Sequence, residues 1–373
     1  RTLIGASDVG GSPTTNITVD LAELLSTEPD AAVTLPAPDL DGPAYTIYTS
    51  GSTGEPRGVT VSHRELALST AARHVVYPTR PERFLVISSL SFDSSVAGLF
   101  WTLTAGGTVV LPTDSEVHDV DALIDLFTTT DISHTLLVPS LYRGLLARAE
   151  PDAAWPDQVI VAGEACGPDV VTRHLDTRPA SKLSNEYGPT EATVWATVSH
   201  LDDATAGVPI GRPIPGAWTA ILDHRGELCP GGVVGELLIG GETVTGRYDG
   251  IESDRFAGAS AFGSGRTFLT GDRAACANGR LYFHGRVDDQ LNAGGLRIEP
   301  TEIEVALQGV DGVEEAVVVA RDLRALDDLL STADADRLAE ALRRAADAAD
   351  PRTSLGSALA LSLIHISEPT RLL

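Results

Sequence analysis

YTIYTSGSTGEPRGVTV, residues Tyr45–Val61, decides the reading of this chain. Thr49, Ser50, Ser52 and Thr53 are interleaved with Gly51, Gly54 and Gly58, and Arg57 adds a fixed positive charge. An apolar run from Ala44 to Tyr48 leads in, and Val59 to Val61 leads out. Glycines let the backbone turn tightly and approach a ligand closely. Successive N–H groups and hydroxyls then form a nest for anions, and the guanidinium can fork onto phosphate oxygens. The stretch therefore reads as a phosphate-holding loop between two strands. It is not a Walker A loop, because Gly-Lys-Ser/Thr is absent and no helical pattern follows at once. A plain surface hairpin is the competing reading of any Gly/Ser-rich loop.

Beyond the loop the pattern turns helical. Ser62 with Glu65 three residues later has capping-box spacing, and a helix is expected from His63 to about Tyr77. Residues 83–90 read as a buried strand, and 91–104 as a loop entering a helix that Gly106-Gly107 ends. Strands are expected over 108–111, 135–138 and 158–162, and helices over 120–128 and 140–149. This alternation argues for an α/β class with largely parallel sheets. After about Val208, short strands punctuated by Gly and Pro, at 219–222, 235–239, 267–269 and 280–284, read as a smaller β-rich lobe. Residues 285–295 read as a joint, followed by a helix at 301–308, a strand at 315–320 and a helix at 334–349. The expected division is a partial large α/β lobe over 1–207, a β-rich sublobe over 208–287, and a hinge with an incomplete C-terminal lobe over 288–360. The tail over 361–373, LSLIHISEPTRLL, breaks the Ala/Asp/Arg style before it and reads as non-native sequence.

Bulk properties narrow the partners. A net charge of −25 over 373 residues argues against nucleic acid and anionic membranes as partners. No segment approaches the roughly 20 apolar residues of a membrane span. Cys166, Cys229 and Cys276 are far apart and odd in number, so a free-thiol, cytoplasmic protein is expected, with no disulfide framework. The chain contains no Met, and Lys182 is its single lysine among 27 Lys and Arg residues. It reads as an internal piece of a longer polypeptide.

Three further stretches carry chemistry. In NEYGPTEAT, Asn185 to Thr193, Tyr187 offers a flat face for a base, Thr190 a hydroxyl and Glu191 a hard oxygen ligand for Mg²⁺. Alone, the Tyr-Gly-Pro could equally be a turn with an aromatic anchor. In Thr270-Gly271-Asp272, the carboxylate suits two ribose hydroxyls, although an Asp after Gly is more often part of a turn. In Gly285 to Glu304, GRVDDQLNAGGLRIEPTEIE, the glycines suit a hinged loop entering a helix.

Taken together, and in this order, these stretches resemble the adenylate-forming superfamily, which includes acyl-CoA synthetases, luciferases and the amino-acid adenylation domains of nonribosomal peptide synthetases. TSGSTGEPRGV resembles its phosphate loop, with Arg57 where Lys is usual, and NEYGPTE matches its YGPTE motif. The resemblance implies the adenylate-forming fold: a large α/β N-terminal lobe, a small β-rich sublobe and an incomplete α+β C-terminal lobe. It also implies roles. The loop from Thr49 through Gly54 to Arg57 and Gly58 holds ATP phosphates. Asn185, Tyr187 and Gly188 hold adenine, Asp272 the ribose, Thr190 phosphate and Glu191 Mg²⁺. Arg286 contacts ribose and phosphate, and Asp288 is the pivot between lobes. Asp93, in SFDSSVAG, matches the acid that binds a substrate α-amino group, which favours an amino acid over a fatty acid. The remaining pocket positions carry over as Ser94, Ala97, Leu137, Ile160, Ala162, Glu186, Val194 and Trp195. This lining suggests a medium-sized apolar or aromatic side chain, with Glu186 open to a hydroxyl or a basic group.

The implied reaction is attack of an amino-acid carboxylate on the α-phosphorus of ATP, release of pyrophosphate, and transfer of the aminoacyl group to a carrier-protein phosphopantetheine thiol. An MbtH-like helper is a further implied partner. The chain departs from the family in several places. Leu269 stands where Arg precedes the TGD motif, and Ala293-Gly294-Gly295 resembles the acyl-CoA synthetase joint. The C-terminal Asn-Gly-Lys motif is absent, and only 44 residues precede Tyr45. Truncation at both ends, weak ATP binding and poor adenylation are expected of the chain as given. An acyl- or aryl-CoA ligase and a non-catalytic nucleotide-binding remnant are the alternatives.

Overall fold

A computed structural model describes residues 2–5, 17–20, 39–49, 57–203, 207–257, 262–287, 291–293 and 296–298. The expected elements at 301–308, 315–320 and 334–349, and the tail, lie outside the described residues, as do residues 288–290 and 294–295 of the joint and most of residues 1–38. β1 (Thr2–Gly5) and β2 (Ile17–Asp20) pair antiparallel within a unit of their own, residues 1–39.

The second unit opens with β3 (Pro43–Thr49) and β4 (Arg57–Ser62), which pair antiparallel with Thr49 opposite Arg57. These are the two strands expected to flank the phosphate loop. α1 (His63–Val76) follows with both halves of the capping box: the Glu65 N–H donates to Ser62 Oγ, and the Ser62 N–H to Glu65 Oε2 at 2.7 Å. Each bond satisfies an N–H that the first turn leaves without an internal partner.

β5 (Arg83–Val86), α2 (Asp93–Ala105), β6 (Thr108–Val110), α3 (Asp114–Val117), α4 (Val120–Thr129), β7 (His134–Leu137), α5 (Pro139–Arg148), β8 (Gln158–Val161), α6 (Pro168–Thr177) and β9 (Lys182–Tyr187) alternate along the chain. α2 ends at Gly106, whose φ of 79° is the left-handed conformation that glycine adopts without a Cβ penalty. β10 (Thr197–His200) and β11 (Arg212–Pro213) complete a seven-stranded sheet in the order β11-β10-β9-β8-β7-β5-β6. β6, β5, β7, β8 and β9 run parallel, and β10 and β11 form an antiparallel edge.

Helices cover both faces of this sheet, and strand alternation sorts the side chains between them. Leu85, Leu137, Val159, Val161 and Leu183 face one core with Leu123 and Phe127 of α4, Tyr142 and Leu145 of α5, and Val170 and Val171 of α6. Phe84, Val86, Leu136 and Ile160 face the other, with Ala72 of α1 and Ala97 and Trp101 of α2. The chain leaves β5 toward one face and β7 toward the other, so a switch point lies between these neighbours. Ligands of open α/β sheets bind in such a crevice, at the carboxyl ends of the strands.

The smaller sheet follows: β12 (Ala217–Leu222), β13 (Gly235–Gly241), β14 (Phe256–Ala257), β15 (Arg266–Ala277) and β16 (Arg280–Arg286), in the order β12-β13-β15-β14 with β16 on β15. The larger sheet runs to Pro213, so the change of sheet comes a few residues after the expected boundary at 207. β17 (Leu291–Ala293), in the expected joint, pairs antiparallel with β18 (Leu296–Ile298) just past it. Among the described residues no helix is long and apolar enough to cross a membrane.

Candidate active site

Three segments meet beyond the carboxyl ends of the parallel strands: the start of α2 after β5, the NEYGPTEAT turn after β9, and the β3–β4 hairpin. Of the expected phosphate loop, Thr49, Arg57 and Gly58 are described, whereas Ser50, Gly51, Ser52, Thr53 and Gly54 lie outside the described residues. The Thr49 hydroxyl donates to the Arg57 carbonyl at 3.4 Å, and the Arg57 guanidinium lies 5.3 Å from the centre of the Tyr248 ring. Tyr248 in turn donates its hydroxyl to Glu191 Oε1 at 2.5 Å. One phenol thus links the loop's cation to the candidate metal ligand.

Glu191 sits in a single 3-10 turn, Thr190–Ala192, and is fully buried. Its backbone carbonyl accepts the Thr245 N–H, and the Asp249 N–H caps the Gly58 carbonyl at 2.8 Å. Arg266 pins the same segment by donating to the carbonyls of Val244 and Thr245 and to buried Glu65. The turn itself is tightly folded. A Cβ on Gly188 would lie 2.5 Å from the Trp195 Cα, so only glycine fits there. Thr193 and Val194 take φ of 57° and 79°. For a β-branched residue this is a strained conformation, costing on the order of 1–3 kcal/mol. It is held by the Ser69 hydroxyl on the Thr193 carbonyl and by the Thr193 hydroxyl on the Thr243 carbonyl.

β15 and β16 place Asp272 opposite Arg286. Arg286 donates to Asp272 Oδ1, and the Tyr187 hydroxyl donates to Oδ2 at 2.5 Å. Burial, with the Asp272 charge beside it, holds Tyr187 well above the usual phenol range, so it stays a donor.

Asp93 opens α2. Its Oδ2 is shut off from solvent without a hydrogen-bond partner, and so is the Tyr45 hydroxyl. Burial pushes the Asp93 carboxyl up to about 6, opposed by the Thr190 hydroxyl and aided by the Glu191 charge. Burial and the charges of Asp93 and Glu65 keep Tyr45 protonated. A buried carboxylate with an unpartnered oxygen is costly unless a cation or donor completes it.

A β3–β4 hairpin that flanks the Gly/Ser-rich stretch, a buried Glu in the Tyr-Gly-Pro-Thr-Glu turn after β9, and an Asp–Arg pair on the smaller sheet joined to that turn through Tyr187 suit a nucleotide. A family model described as "AMP-binding enzyme" matches residues 4–249. The chain belongs to the AMP-binding enzyme family. It is 37% identical over 286 residues to tyrocidine synthase 3 of Brevibacillus parabrevis, covering 75% of this chain and 4% of that one. Bacitracin synthase 3 of Bacillus licheniformis is 36% identical over 285 residues, covering 75% and 4%. The chain thus spans a small part of the length of these curated relatives. Among solved structures, it is similar to holo-PA1221, a nonribosomal peptide synthetase protein with adenylation and PCP domains, at a TM-score of 0.71 and 27% identity over 80% of this chain and 53% of that one. It shares its fold with the Vibrio cholerae adenylation domain AlmE in complex with glycyl-adenosine-5'-phosphate, at a TM-score of 0.70 and 24% identity, covering 79% and 56%.

For this AMP-binding enzyme the structure also revises several sequence-based assignments. Leu137 faces the core under α4 and α5, on the opposite side of the sheet from Ala97, Ile160 and Trp195. Its neighbour Leu136 faces the side that carries Ala97 and Trp195, and pairs with Ile160. A one-residue offset in a strand exchanges the two faces, which is the physical origin of the difference. Glu186 is not open to a substrate group: Arg73 Nη1 and Nη2 fork onto it at 2.7 and 2.9 Å, and Tyr77 donates to it at 2.5 Å. The Asn185 amide is spent on the Pro209 carbonyl at 2.9 Å. Ala97, Ile160, Ala162, Val194 and Trp195 do gather in one cluster, with half-buried Ser94 beside Asp93 at the start of α2. Asp288 lies outside the described residues. Tyr45, Tyr248 and Arg266 were missed. Tyr45 opens the phosphate-loop stretch, whereas Tyr248 and Arg266 lie outside every singled-out stretch, and only the fold brings Tyr248 to Glu191 across 57 positions.

Proposed function

We propose that this chain is the adenylation part of a nonribosomal peptide synthetase, activating an amino acid as its aminoacyl-AMP with release of pyrophosphate. The observation that carries the reading is the buried Asp93 carboxylate, with one oxygen unpartnered at the start of α2 and beside the Thr190–Glu191 turn. An α-ammonium group completes it, and a fatty or aryl acid has none. This favours amino-acid activation over an acyl- or aryl-CoA ligase.

In-line displacement at phosphorus needs positioning and charge neutralisation more than acid–base groups. Arg57 neutralises the β- and γ-phosphates next to the hairpin. Asp93 fixes the amino end, so the carboxylate points toward the α-phosphorus, where Thr190 donates a hydrogen bond. The Tyr187 face carries the adenine, Gly188 lets it approach, and the Asp272–Arg286 pair receives the ribose. Asn185, with its amide committed to Pro209, shapes the base site. Mg²⁺ fits the donor set. Glu191 supplies a hard oxygen, and no group of three His, Cys, Asp or Glu gathers among the described residues. A cation held by one carboxylate, phosphate oxygens and water is the ordinary Mg²⁺ arrangement, and when bound it neutralises phosphate charge. A carrier-protein phosphopantetheine thiol is the proposed acceptor, an MbtH-like protein a proposed helper, and the cytoplasm the proposed location. Division into lobes hinged near Asp288 belongs to the same reading.

The test is amino-acid-dependent ATP–pyrophosphate exchange across a panel of amino and aryl acids, run with this chain and with one whose C-terminal lobe is completed from a relative. Exchange with one or a few amino acids supports the reading. Exchange with aryl acids alone moves the assignment to an aryl ligase, and silence from both proteins with ATP still bound moves it to a non-catalytic binding domain.

A further inference from the structure

The Arg73–Glu186 pair is the most deeply buried ion pair among the described residues, with side chains 2% exposed on each partner. Both terminal guanidinium nitrogens are engaged by the carboxylate, and Arg73 also lies over the Trp195 ring at 4.3 Å and the Trp101 ring at 5.7 Å. Burying two charges this way is costly, and an apolar pair of like volume often serves stability as well. Its position suggests another use. α2 carries Asp93, Ala97 and Trp101 at intervals of four, each step about 6 Å along the helix on one face. A substrate held at Asp93 by its α-amino group therefore extends its side chain past Ala97 and Ile160 toward Trp101, Trp195 and the ion pair.

We propose that Arg73, from α1, is a specificity-determining residue: it is the built-in counter-ion of Glu186, and the two together make the pocket floor select amino acids with uncharged side chains. This rests on the amino-acid adenylation reading. A cationic side chain would meet a carboxylate already forked by Arg73, and like charge beside it. An anionic one would meet Glu186. Burial and the Glu186 charge keep the Tyr77 hydroxyl protonated, so it remains a donor to the same carboxylate. A neutral side chain packs against the apolar cluster that includes Ala97, Ile160 and Val194 instead.

The test uses non-reactive aminoacyl-sulfamoyl-adenosines with leucyl, phenylalanyl, ornithyl and glutamyl side chains, with Kd values from calorimetry on the full chain. The wild type is expected to bind a neutral analogue at least about tenfold tighter than either charged one. Arg73→Ala bares the acid and is expected to improve ornithyl binding relative to leucyl by about tenfold or more, and Glu186→Gln to do the same for glutamyl. Cooperative thermal unfolding identifies which variants are folded. Wild type preferring a charged side chain overturns the inference, whether or not either variant folds. So does an unchanged ranking in the folded variants; tight neutral binding in that case leaves the adenylation reading standing. Failure of the wild type to bind any of the four removes both.

Discussion

Replacing Asp93 by Asn should exchange binding for stability, and pH should reveal it. The carboxyl has an ordinary value of 3.8 and stands at about 6 in the folded chain, chiefly through burial. Between these values the folded protein holds a proton that the unfolded chain has released. Asp93 therefore costs nothing at low pH, and its burden grows as pH rises through that window to a plateau above about 6. At about 1.4 kcal/mol per pH unit the full cost approaches 3 kcal/mol, and partial solvent access trims it to about 2–3 kcal/mol. Asparagine keeps the shape and does not ionise, so its own hydrogen-bonding penalty is a constant offset. The assay is urea unfolding of wild type and Asp93→Asn at intervals from about pH 4 to about pH 8, with the stability difference plotted against pH. The difference should move in favour of the Asp93→Asn variant by about 2–3 kcal/mol across the window, while amino-acid-dependent exchange is lost. Other titrating groups cancel because both proteins carry them. A flat difference would refute the claim that burial, with one oxygen left unpartnered, penalises the charged form of this carboxyl. An aminoacyl-adenosine analogue should restore the wild type at about pH 8 and give the Asp93→Asn variant little gain, because the amide offers the α-ammonium group no charge.

Tyr248→Phe removes the donor to buried Glu191 and should cost about 1–3 kcal/mol of stability. The Mg²⁺ concentration for half-maximal ATP binding, read by fluorescence titration, should rise; an unchanged Mg²⁺ midpoint would count against Glu191 as the proposed metal ligand that Tyr248 orients. Leu136→Ala and Leu137→Ala should each lower stability by about 2–5 kcal/mol, but only the former should alter which amino acids support exchange. A specificity change in Leu137→Ala alone would reverse the assignment of faces. Gly188→Ala drives a Cβ into the Trp195 backbone and should abolish adenosine binding or cooperative folding, as calorimetry and thermal melts would show.

What the sequence by itself determined is local. The capping box at Ser62 and Glu65, the glycine stop at Gly106, the α/β alternation and the order of the phosphate-loop, Tyr-Gly-Pro-Thr-Glu and Thr-Gly-Asp stretches all depend on neighbouring residues or regular spacing, so they are legible along the chain. Tertiary structure decided the rest, because it turns on which face a side chain takes and what lies opposite. Leu136 and Leu137 are equivalent as apolar residues until the sheet gives them different sides. Glu186 reads as an available acid until α1 brings Arg73 and Tyr77 onto it from over a hundred positions away. Tyr248 reads as an ordinary aromatic until the chain returns it to Glu191. Asp93 is the converse case: its candidacy was visible in the motif, but only the folded surroundings show that it is buried with one oxygen left without a partner.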